Sequence, residues 1–131
     1  MGYLPTNMTT RIITPEPVTY TIDATDRTLG RVCSDAAHAL LGKRSVHFTK
    51  NMALPITVIV ENASKMHLPS TRTKGKIYTR YTGYPDGLRE MTMEEMITKK
   101  GIEEVVKKTV DGMIPRNRLR APRMKNLVVK A

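Results

Sequence analysis

Ile56-Thr57-Val58-Ile59-Val60-Glu61, entered from Pro55, is a compact apolar run dominated by β-branched side chains. That composition suits a strand. Apolar residues at consecutive positions suit a central strand covered on both faces. Upstream, Leu29, Val32, Cys33, Ala36, Leu40 and Leu41 recur at helical spacing. Gly42 stands where a helix-ending glycine belongs, and Thr28 or Asp26 is placed to cap the start. Gly30 falls in the first turn, where glycine costs stability unless close packing requires it. Further back, Val18 to Asp23 (Val-Thr-Tyr-Thr-Ile-Asp) reads as a second strand. Strand, helix and buried strand in that order make a right-handed βαβ unit, so the two strands pair in parallel and the fold class is α/β.

Residues 1–17 carry Pro5, Pro15 and Pro17 among polar neighbours and read as an extended N-terminal arm, leaving 18–131 as a single domain. Beyond the central strand, Ser64 to Gly75 is polar and contains Pro69. Lys74 to Gly87 then alternates cations with tyrosines, with a strand expected over Ile77–Thr82. Tyr84-Pro85-Asp86-Gly87 suits a type I turn, with proline second and glycine fourth. Such a segment presents charge and flat rings on a rigid loop, although an ordinary solvated hairpin has the same shape. Past the turn the pattern is helical. Thr92 and Glu95 have capping-box spacing. Ile102, Val105, Val106, Thr109, Val110 and Met113 form one face of a helix ended by Pro115, with Glu103, Glu104, Lys107 and Lys108 on the other. Leu127–Val129 is short enough to add only a final strand.

The net charge is +10, unevenly spread: residues 1–66 hold seven basic and five acidic side chains, residues 67–131 fifteen and seven. That asymmetry implies a polyanionic partner. Nucleic acid fits better than a membrane surface, because a membrane-binding helix wants bulky aromatic anchors and the chain has no Trp and one Phe. No apolar run approaches the roughly 20 residues of a membrane span, and the N-terminus lacks the apolar core of a secretory signal. A single cysteine, Cys33, precludes an internal disulfide and fits a reducing compartment.

Enzyme chemistry finds little support. His38, His47 and His67 have no partners at metal-ligand spacing, and one cysteine builds no zinc site with them. Cys33 lies on the apolar stripe, where a buried inert thiol is expected. Asp23 and Asp26 flank the first strand's end, a common place for functional carboxylates, but loop capping explains them better. The first strand-to-helix turn has neither a dinucleotide fingerprint nor a P-loop. Cofactors are expected to be none.

Three cationic groups fit phosphate instead. Arg27 and Arg31 begin the first helix, with Lys43 and Arg44 after its end. Lys74, Lys76 and Arg80 flank the turn that carries Tyr84. Arg116, Asn117, Arg118, Arg120, Arg123 and Lys125 lie in a segment, 112–131, without one acid. A merely solvated surface would mix signs there, and the arginine fork suits bidentate phosphate contact. No major-groove-reading motif is present and stacking aromatics are few, so recognition of RNA shape and backbone is expected.

Tyr-Thr-Ile-Asp-Ala (20–24), Leu-Gly-Arg-Val (29–32), Leu-Gly-Lys (41–43), Val-Glu-Asn-Ala (60–63), Thr-Gly-Tyr-Pro (82–85), Val-Asp-Gly-Met-Ile-Pro-Arg-Asn (110–117) and Leu-Val-Val (127–129) follow one another in order. The set resembles the large-subunit ribosomal protein L13 family over residues 14–130. The resemblance implies a three-layer α/β/α domain with a small, mainly parallel four-stranded sheet. It also implies a non-enzymatic constituent of the large ribosomal subunit that binds its ribosomal RNA, helps early assembly and touches neighbouring ribosomal proteins, with no membrane and no small-molecule substrate. The place implied is the cytoplasmic ribosome, or an organellar one after loss of a targeting peptide. Four features depart from the family pattern: Thr19 replaces a usual tryptophan, Asp86 replaces a glycine, Pro122 falls in a segment usually helical, and no histidine-containing tail follows Ala131. Two other classes stay open, an RNA-binding regulator acting off the ribosome and a small α/β enzyme acting on nucleotides.

Overall fold

Alternation along β2 (Ile56–Glu61) sets the architecture: Ile56, Val58 and Val60 are buried on one side, while Thr57, Ile59 and Glu61 are half-exposed on the other. The computed structural model describes residues 15–131. Most of the arm expected over residues 1–17 therefore lies outside the described residues, and β1 (Val18–Asp23) begins just after it. β1 pairs in parallel with β2 from Val18–Ile56 to Asp23–Glu61, and β2 pairs in parallel with β5 (Leu127–Val129) from Val58–Leu127 to Val60–Val129.

The helix between the first two strands, α1 (Leu29–Leu40), buries the apolar stripe expected of it. α4 (Ile102–Met113) matches its expected boundaries and packs Val105, Val106 and Val110 into the same core. Both crossovers step the same way through the order β1-β2-β5, so right-handed connections bring α1 and α4 to one face. They touch there, the Cys33 thiol lying 3.9 Å from the Val106 carbonyl. Gly42 ends α1 at φ +82°, and a Cβ on it would sit 2.6 Å from Leu54 Cδ1. Both backbone and packing therefore demand glycine there.

Several expectations are corrected. Among the described residues β2 is covered on one face, not two; on the other, Thr19, Thr21 and Val128 are exposed and Thr57 and Ile59 half-exposed. Among the described residues the main sheet has three strands rather than four. The expected strand at Ile77–Thr82 is β3 (Ile77–Tyr81), and it pairs antiparallel with β4 (Leu88–Thr92) as a separate two-stranded ribbon. The reason is physical: β3 carries cations and tyrosines, and a parallel sheet interior accepts neither. Beyond the end of β1, an isolated parallel bridge joins Thr28 to His67, with the His67 N–H donating to the Arg27 carbonyl at 3.1 Å.

Local details differ as well. The polar stretch before β3 contains a 3-10 turn at Ala63–Lys65 and the short α2 (Ser70–Gly75). Thr28 occupies the N-cap position of α1 without a side-chain bond, and Asp26 adopts φ +55° instead of capping. A Cβ on Gly30 would meet nothing within 4 Å, so packing does not explain that glycine. Thr92 does cap α3 (Met93–Lys100), its Oγ1 accepting from the Glu95 N–H at 3.3 Å. Pro122 lies in the first turn of α5 (Arg120–Lys125), where a missing N–H is harmless.

The turn after β3 is not type I. The Gly87 N–H donates to the Tyr84 carbonyl at 2.9 Å, but Asp86, third in the turn, has φ +56°. With proline second, a positive φ third defines a type II turn. Glycine at that position, as the family pattern has it, would meet this need without strain.

Candidate nucleic-acid interface

The cations of α1 are partly engaged within the protein. Arg27 Nη2 donates to Asp35 Oδ2, and this bond holds the Asp35 carboxyl below the usual carboxylate range against the opposing effect of burial. Arg44 places its guanidinium 5.7 Å from the Tyr20 ring centroid, which fixes it beside β1. Arg31 and Lys43 are exposed.

The β3–β4 ribbon concentrates charge differently. Its register places Tyr78 opposite Met91 and Arg80 opposite Arg89. By the two-residue period, Tyr78, Arg80, Arg89 and Met91 share one face. Like charges directly opposite each other destabilise a ribbon. Lys76 continues the row, its ammonium 5.7 Å from the Tyr78 centroid, and Lys108 of α4 approaches the same ring at 5.2 Å. At the ribbon's tip Tyr84 is 75% exposed. Lys74 is exposed at the end of α2.

The terminal group divides. Arg116, Arg118 and Lys125 are exposed or partly so. Asn117 turns its side chain inward on the loop, Oδ1 accepting from the Leu119 N–H at 3.1 Å. Arg120 Nε reaches Asp111 Oδ1 at 2.9 Å. Arg123 leaves the expected set altogether: it is 3% exposed, and its Nη2 donates to the Met52 carbonyl at 3.3 Å. Its side chain ties α5 to the loop before β2 and presents nothing to a ligand.

The residues weighed for catalysis have structural occupations. Asp23 Oδ1 accepts from the Thr25 hydroxyl at 2.7 Å, the Thr25 N–H at 3.1 Å and Asn62 Nδ2 at 3.1 Å, and these bonds lower its pKa. It braces the loops after β1 and β2. Burial pushes the Cys33 thiol up to about 12, so it is no nucleophile at neutral pH. Among the described residues no group of three or more His, Cys, Asp or Glu is placed to hold a metal ion, and no helix is long and apolar enough to cross a membrane.

Three cations escaped the sequence reading: Arg72, Arg89 and Lys108. The signal for Arg89 was present, because a tight turn after a strand asks for an antiparallel partner. By its spacing Lys108 falls on the solvent face of α4, and only the ribbon folding beside that helix turns it into a neighbour of Tyr78.

Residues 18–130 match the family described as Ribosomal protein L13. The "Large ribosomal subunit protein uL13" of Chlamydia caviae is 43% identical over 108 residues, covering 82% of this chain and 71% of that one. The protein of that name from Hahella chejuensis is 39% identical over 112 residues, 86% and 78% of the two chains. The one from Geobacter sulfurreducens is 35% identical over 126 residues, 94% and 87%.

Proposed function

The chain belongs to the ribosomal protein L13 family, and from that premise we propose that it is a structural constituent of the large ribosomal subunit that holds ribosomal RNA segments together. The observation that carries the RNA contact is the Arg80–Arg89 pair, two like charges opposed across an exposed ribbon with Lys76 on the same face. Such an arrangement costs the ribbon a little and favours a polyanion laid against it.

The contact works by charge neutralisation and shape. Arg31, Lys43, Lys74, Lys76, Arg80, Arg116, Arg118 and Lys125 take phosphates and release counterions, while the sheet and helices fix where those charges stand. Arg27, Arg44 and Arg120 contribute from fixed positions, already oriented by Asp35, Tyr20 and Asp111. Tyr84 and the Asn117 amide add contacts at the ribbon tip and the α4–α5 turn. Binding belongs to early subunit assembly.

Sedimentation of tagged protein from lysate through a high-salt sucrose gradient tests this reading. Comigration with the large subunit after the salt wash is the expected result. Protein remaining at the top of the gradient would reject the ribosomal role and favour a regulator acting off the ribosome.

A further inference from the structure

A groove of about 740 Å³ opens between α2, the start of α1, β3 and the second half of α4. That volume lies in the ~300–1,000 Å³ range of small-molecule sites. Three cations border it, Arg72, Lys76 and Lys108, and no carboxylate lines it. Its floor is apolar, with Leu29 and Met93 buried and Tyr78 half-buried. The hydroxyls of Thr71 and Thr109 also line it.

Two features of the groove have no explanation within the fold. The Lys76 and Lys108 ammonium groups converge on one tyrosine ring at 5.7 and 5.2 Å with no acid lining the groove between them. The ring attracts each, and both ammonium groups border the groove, so an anion seated in it would be attracted by both. Gly75 and Gly112 also border the groove. Neither has a positive φ, and a Cβ on either would touch nothing within 4 Å. Glycine in a helix costs about 0.5–1 kcal/mol relative to alanine, so the fold alone would favour alanine at Gly112. Bare backbone there leaves room for a ligand to approach closely.

We propose that this groove seats one extruded nucleotide of the RNA, its phosphate among Arg72, Lys76 and Lys108 and its base against Leu29, Tyr78 and Met93. The inference rests on the RNA-binding reading above and specifies where an unpaired base goes. Bulges and junctions of folded RNA supply such nucleotides, and charge-assisted bonds to phosphate are the strong ones. The base gains apolar contact with the floor, with the Thr71 hydroxyl beside its edge, while the Thr109 hydroxyl donates to the Val105 carbonyl at 2.8 Å and keeps only its acceptor side. Arg80 and Arg89, on the same ribbon face as Tyr78, meet the flanking phosphates.

The test is a titration of the full ¹⁵N-labelled chain with the four nucleoside 5′-monophosphates, with nucleosides and with inorganic phosphate. Saturable amide shifts at Lys76, Tyr78, Lys108 and Gly112 are expected with at least one monophosphate, at clearly lower concentration than with inorganic phosphate. The doubly substituted Lys76→Gln/Lys108→Gln chain should lose them, and Lys100→Gln, at an exposed cation of α3 away from the groove, should keep them. Equal response to inorganic phosphate, shifts spread alike over residues 116–125, or no saturation at millimolar concentration would each overturn the proposal. Gly112→Phe plugs the groove without removing charge. It should lower affinity for large-subunit ribosomal RNA about fivefold, the low end of what one seated base contributes. Wild-type RNA affinity in a folded Gly112→Phe chain would sink the groove alone, whereas failure of the unsubstituted chain to bind RNA would sink the broader reading. Should Gly112→Phe misfold, the lysine pair still decides the matter.

Discussion

In β2 the side chains facing the helices, Ile56, Val58 and Val60, are 3% exposed or less, whereas in β3 only Tyr78 is half-covered and Ile77, Thr79, Arg80 and Tyr81 stand in solvent. The body built from β1, β2, β5, α1 and α4 satisfies itself: its apolar residues meet each other, and the Cys33 thiol finds a carbonyl. The ribbon and the groove beside it do the reverse. They oppose arginine to arginine, crowd two lysines over one ring, and leave two glycines without an intramolecular reason. The first region is complete as a folded chain; the second leaves its cations and most of its aromatic surface in solvent.

The strongest way to break that contrast is to place the same charge in both regions. Val58→Asp buries an unpaired carboxylate in the body and should cost at least about 4 kcal/mol, enough to abolish cooperative unfolding in urea. Ile77→Asp, on a half-exposed ribbon position, should stay within about 0.5 kcal/mol of the parent. Comparable losses at both sites would show that the ribbon is part of one cooperative core.

Arg123 and Arg118 sharpen the boundary between the regions. Arg123→Ala removes a buried stem and the bond to the Met52 carbonyl, and should destabilise by about 1–3 kcal/mol while leaving the salt dependence of RNA binding unchanged. Arg118→Gln should do the opposite, with stability held and the slope of log affinity against log salt reduced by about one. A reduced slope for Arg123→Ala would return that side chain to the RNA surface.

These two arginines also show why the body was legible in the sequence and the interface only partly so. β1, β2, β5, α1 and α4 announce themselves through local spacing, and their expected boundaries agree with the structure. Charge carries no such local mark of depth. Arg123 sits among exposed cations in an acid-free segment and reads like them, because its burial depends on Met52, far upstream. The number of strands failed for a related reason: whether β3 joins the main sheet depends on β4 and on what the ribbon packs against. The face of β2 away from the helices misled by composition, since Ile59 is apolar yet half-exposed.

Arg89→Gln separates folding from binding by sign. Removing one of two opposed arginines should stabilise the protein by about 0.2–1 kcal/mol, read as a rise in urea midpoint. The same substitution should weaken RNA binding and lower the salt slope by about one. A chain that gains stability and loses affinity has charge placed for a partner. Loss of both would mean that Arg89 supports the ribbon itself.

The smallest effect is expected at Asp86, where the two regions' rules meet in one residue. Its φ of +56° is tolerated by aspartate at a cost of about 1 kcal/mol, which Asp86→Gly relieves. Glycine also widens the unfolded ensemble, at roughly 0.5–1 kcal/mol, so the melting temperature should hardly move. Neighbouring Gly87 is not interchangeable, because a Cβ there would lie 2.0 Å from Thr82 Oγ1. The informative readout for Asp86→Gly is RNA affinity at two salt concentrations. If the tip approaches phosphate, losing the carboxylate should tighten binding by about twofold at low salt and less at high salt, since screening weakens the repulsion it removes. Equal affinity at both salts would place the tip, and Tyr84 with it, outside the RNA contact and leave the Tyr78 face of the ribbon as the binding edge.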